Sequence, residues 1–84
     1  MDRGDVAREL LRRAYAQRGM GPKGVELLPL GQVAEDVGLG SDALHTVVEF
    51  LERGGYIEDV GPQIGVRRGD AYTITPSGKA WLGE

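Results

Sequence analysis

Glycine and proline decide how long any regular element of this chain can be. GMGPKG, residues 19–24, holds three glycines and a proline, and no helix runs through such a stretch. Gly38 and Gly40, then Gly54-Gly55, then GPQIGVRRGD at 61–70 repeat the interruption. What remains between the breaks is a set of short pieces, each readable by its apolar period.

DVARELLRRAYAQR reads as a first helix, with Val6, Leu10, Leu11, Ala14 and Tyr15 on a 3.6-residue stripe. Asp5 stands where an N-cap belongs, and arginines fill the far face and last turn, where the macrodipole favours cations. VELLPL is too brief for a helix, and Pro29 restricts it to an extended edge. Val33, Ala34 and Val37 fit a two-turn second helix ended by Gly38 and Gly40. Ser41 and Asp42 are candidate caps of a third, whose stripe is Leu44, Val47, Val48 and Leu51. YIEDV reads as a strand. AYTIT alternates, with Tyr72 and Ile74 on one face and Thr73 on the other. Thr75-Pro76 then predicts a helix start, Thr as cap and Pro in the first turn, with Trp81 and Leu82 anchoring the closing helix.

A chain of 84 residues holds one domain, spanning 1–84, with a core and little room for a deep cleft. It has no cysteine, so disulfides, cysteine-based zinc sites and thiol chemistry are excluded, and a cytoplasmic location is expected. No secretory signal and no apolar run near the roughly 18 residues of a membrane span is visible, so no membrane partner is expected. The net charge of −3 conceals an asymmetry. Residues 1–23 carry six cations against three acids, residues 24–66 carry eight acids against Arg53, and residues 67–84 carry three cations against two acids. A polyanion would meet the two ends of the chain rather than its middle.

The order of helix, short strand, helix, turn, helix, strand, loop, strand, helix resembles a winged helix-turn-helix domain over residues 5–82. LGQVAEDVGLGSDALHTVVEFLERGGYIE is similar to the family's helix-turn-helix. There Ala34 is the small residue of close approach, Gly38 makes the turn, and Leu39, Leu44, Val48 and Leu51 lock the pair. YTITPSGKAWL resembles a second wing strand entering a closing helix, as in small bacterial transcriptional regulators. The resemblance implies a mostly α fold with a small β-wing: three-helix core, β-hairpin wing, short C-terminal helix. It also implies double-stranded DNA as partner, with Arg67 and Arg68 on the wing loop, Ser41, His45 and Thr46 facing the major groove, and Lys79 with the helix-one arginines adding backbone contacts.

The acidic middle of the chain offers a second reading, a protein-interaction module whose partner face is Glu35, Asp36, Glu49 and Glu52. A homodimer patch at Tyr15, Trp81 or Leu82 competes with core burial of the same residues. No enzyme, cofactor or metal site is expected. GLGSDA matches a dinucleotide fingerprint formally, but a helix precedes it where a strand is required. His45, the one histidine, has no second histidine or cysteine to share a metal with.

Overall fold

In the computed structural model, which describes residues 3–22, 24–62 and 64–84 and of Arg68 only the backbone, the first stripe becomes α1 (Arg3–Ala16). Its buried face is Ala7, Leu10, Leu11 and Ala14. Val6 and Tyr15, expected on the stripe, lie half-buried at its edges, and Ala7 is fully buried. The helix opens before Asp5, which therefore sits in the first turn rather than at the cap. A carboxylate there still meets the positive end of the macrodipole.

The glycine-rich break does more than stop α1. Gly19–Met20 (β1) pairs antiparallel with Glu26–Leu27 (β2), and Gly21 N–H donates to the Val25 carbonyl at 2.7 Å across the turn. Leu28 continues the path, its N–H donating to the Tyr72 carbonyl at 2.8 Å, which pins this extended segment to the later strand. Pro29 then caps α2 (Leu30–Asp36), whose buried residues are Leu30, Val33 and Ala34.

Gly38 adopts φ +79°, a conformation that side chains with a Cβ disfavour, and Leu39 N–H reaches back to the Ala34 carbonyl at 2.8 Å. This turn leads into α3 (Ser41–Arg53). The residue at its cap is Gly40, with no side-chain hydrogen bond, so Ser41 and Asp42 are helical residues rather than the expected caps. Val47, Val48 and Leu51 are buried, whereas Leu44 is half-buried at the lip of the core.

Ile57–Asp59 (β3) and Tyr72–Ile74 (β4) form the second hairpin, with Ile57 opposite Ile74 and Asp59 opposite Tyr72. Tyr72 and Ile74 point into the core and Thr73 away from it, as their alternation predicts. A 3-10 turn at Arg68–Asp70 precedes β4. Thr75 caps α4 (Pro76–Leu82) as expected, its Oγ1 accepting from Gly78 N–H at 3.1 Å. Trp81 stacks on Tyr56 with ring centroids 4.1 Å apart, and Leu82 is buried. Core burial thus takes Leu82 and most of Trp81 and Tyr15 away from any dimer patch.

The described residues form a mostly helical fold of four helices with small antiparallel sheets. One apolar core joins α1, α2 and α3 to Leu28, the second hairpin and Leu82. Full burial of a leucine such as Leu11 or Leu51 contributes about 1.5–3 kcal/mol. No described helix is long and apolar enough to cross a membrane.

Candidate functional site

α3 is amphipathic in two senses. Around its axis, Val47, Val48 and Leu51 face the core. Along its axis, the first turn and a half carries Ser41, Asp42, Ala43, His45 and Thr46, all exposed. No residue of 41–46 enters an ion pair among the described residues. The N-terminal half of α3 thus presents exposed polar groups outside any described ion pair, whereas in the C-terminal half Glu49 pairs with Arg53 at 2.7 Å.

Beside this half-helix runs a shallow groove whose opposite wall is the 3-10 turn before β4. Two adjoining cavities of about 210 Å³ each make it up. Ser41, Leu44 and Gly69 line both; His45 and Tyr72 line one, Glu35 and Arg67 the other. The fold therefore gathers Ser41, His45 and Arg67 around one depression. It sets Thr46 apart. Thr46 lines a different hollow with Arg53 and Tyr56, and its Oγ1 donates to the Asp42 carbonyl at 3.1 Å within the helix. Lys79 is exposed on α4 and lines neither groove cavity. The Arg68 side chain lies outside the described residues.

Arg67 does not project from the hairpin loop. Its Nη1 donates to Glu35 Oε1 on α2 at 2.7 Å and its Nε to Asp70 Oδ2 at 3.3 Å. The other Asp70 oxygen accepts the Gly31 N–H at 2.8 Å, so a residue 39 positions downstream caps the first turn of α2. Pro29, at the cap position itself, supplies no side-chain bond. The approach is close: a Cβ on residue 31 would lie 3.0 Å from Asp70 Oδ1. The Glu35 hydrogen bond first, and the Asp70 and Glu35 charges after it, raise the Arg67 guanidinium above its ordinary value. A raised cation stabilises the fold below its unfolded value and loses that contribution only as pH climbs through the folded one. For an arginine that window is strongly alkaline, so salt rather than pH near neutrality governs this pair from its cationic side.

The helix-one arginines are engaged as well. Arg8 donates from Nε to the Trp81 carbonyl at 3.0 Å, fastening α1 to α4. Arg13 and Arg12 lie 3.1 and 3.8 Å from Glu9, and the i,i+4 spacing of Glu9 and Arg13 gives the expected pair. Arg18 stands over the Tyr15 ring and 3.5 Å from Glu26.

No family model, curated protein or solved structure matches the chain.

Asp70 is the member of the site that sequence reasoning misses, together with the pairing of Glu35 with Arg67. Glu35 was expected on an acidic partner face, and Asp70 read only as part of a glycine-rich loop. No local pattern signals the Glu35–Arg67 contact or the Asp70 cap on Gly31, because those partners stand 32 and 39 residues apart.

Proposed function

We propose that this chain is a winged helix-turn-helix DNA-binding protein, a transcriptional regulator of the cytoplasm. On this reading α2 and α3 are the helix-turn-helix, and β3, β4 and the loop joining them are the wing. The observation that carries it is the exposed N-terminal half of α3 beside the wing root, which enters no ion pair among the described residues. A recognition helix enters the major groove by that end. Ser41 and His45 bond base edges or phosphates, Thr46 flanks them, and Arg67 and Arg68 meet the backbone. Lys79 on α4 adds a peripheral phosphate contact.

A second reading is favoured by a different observation. Arg67, the cation of the groove, is already paired with carboxylates, and Arg53 is paired with Glu49. A protein partner meeting the face of Glu35, Asp36, Glu49 and Glu52 would need no free cation on this side.

Fluorescence anisotropy of a labelled mixed-sequence duplex at ~50 and ~200 mM salt separates the two. Neutralising three to five phosphates gives a log–log salt slope of about −3 to −4.5. The Arg67→Ala/Arg68→Ala double variant should bind more weakly and with a shallower slope. Failure of the folded protein to bind at roughly 100 μM, the weak end of non-specific DNA affinity, would reject the DNA reading in favour of the protein partner.

A further inference from the structure

Arg67 is held by two carboxylates that differ in kind. Asp70 is largely shielded, with 19% of its side chain exposed, and already accepts the α2 N–H of Gly31. The Glu35 side chain is 60% exposed and, among the described residues, makes no hydrogen bond other than the one to Arg67. Removing Asp70 would therefore uncap α2, whereas removing Glu35 would release only Arg67. Glu35 and Arg67 both line the groove cavity that Ser41 lines.

Resting on the DNA-binding reading, we infer that Glu35 is an internal competitor of the DNA phosphate for Arg67 and sets how tightly the wing grips. The 2.7 Å contact joins the guanidinium to an anionic oxygen, the same kind of acceptor a phosphate presents. Docking exchanges one acceptor for another and leaves the Glu35 carboxylate unpaired near a polyanion. Both consequences lower affinity. The pair is exposed, so the exchange needs no rearrangement of the core. Asp70 stays on Gly31 throughout and keeps the wing root in register with α2. Glu35 thus restrains affinity for DNA of any sequence, since relief of its hold on Arg67 would strengthen contact with any backbone.

The test is a double-mutant cycle read by anisotropy on the mixed-sequence duplex, with Asp36→Asn as the charge control one residue away. Glu35→Gln should tighten binding at ~50 mM salt by about three- to tenfold and steepen the salt slope by up to about 0.9, because Arg67 then gains its phosphate without giving up an internal ion pair. Asp36→Asn removes the same charge without freeing a cation and should gain less than about twofold. In the Arg67→Ala background, Glu35→Gln should behave as that control does. Equal gains from Glu35→Gln and Asp36→Asn, or a full gain surviving without Arg67, would overturn the inference while leaving DNA binding intact. Binding by Glu35→Gln alone, with the natural chain silent, would support it. Absence of binding by both would overturn it together with the reading it rests on.

Discussion

Arginines fasten this molecule together at two seams, and the seams differ in what surrounds them. At the first, Arg8 of α1 reaches the Trp81 carbonyl of α4, next to the Trp81–Tyr56 stack and the buried Leu82. At the second, Arg67 reaches Glu35 of α2 and Asp70, both partners and the guanidinium open to solvent to different degrees. Apolar burial carries the first seam and the hydrogen bond merely completes it. The second has little apolar area behind it; Asp70 and its cap on Gly31 fix its position, and the Glu35 contact can open at small cost. An arginine of the first kind is structural. One of the second kind is available to a ligand.

Truncating Trp81 should break the first seam. Trp81→Ala loses the stack on Tyr56 and the cover over Phe50, and should destabilise the fold by about 3 kcal/mol in chemical denaturation. Gly78 lies so close to the Tyr56 carbonyl and Ile74 that an added methyl would overlap both. A loss from Trp81→Ala smaller than that from Asp70→Ala would invert the ranking of the seams.

Asp70→Ala probes the structural part of the second seam. It removes the acceptor for Gly31 N–H and should cost about 1 kcal/mol, as other lost helix caps do. Arg67→Ala should leave the melting midpoint indistinguishable from that of the natural chain, because an exposed pair contributes little. A large drop for Arg67→Ala would mean that the clasp is part of the fold and unavailable to a partner.

The first seam and the second were not equally legible. Apolar stripes gave α1 and α3 away, and Thr75-Pro76 announced α4, because those signals are local. The Gly19–Met20 strand was invisible: a glycine followed by a methionine carries no alternation, and it is a strand only because Glu26–Leu27 pairs with it. Ser41 and Asp42 looked like caps by residue type, yet Gly40 holds that position and they extend the helix by two residues. The arginines misled most. Arg67 looked like a free cation at a loop tip, and Arg8 like part of a solvated face. Their partners lie 32 and 73 residues away in the chain, where periodicity says nothing. Ser41 and His45 stand exposed in the first turns of α3, positions that the resemblance rather than the stripe singles out.

The most direct test of the central claim, that the N-terminal half of α3 and the wing root form the DNA-facing surface, is an amide chemical-shift titration of the labelled protein with a mixed-sequence duplex. The account predicts perturbations at Ser41 to Thr46 and at Gly69 to Tyr72, with the α1–α4 seam around Arg8 and Trp81 silent. Perturbations clustered on that seam, or spread along the acidic residues Asp36 and Glu52 with the start of α3 unaffected, would contradict it.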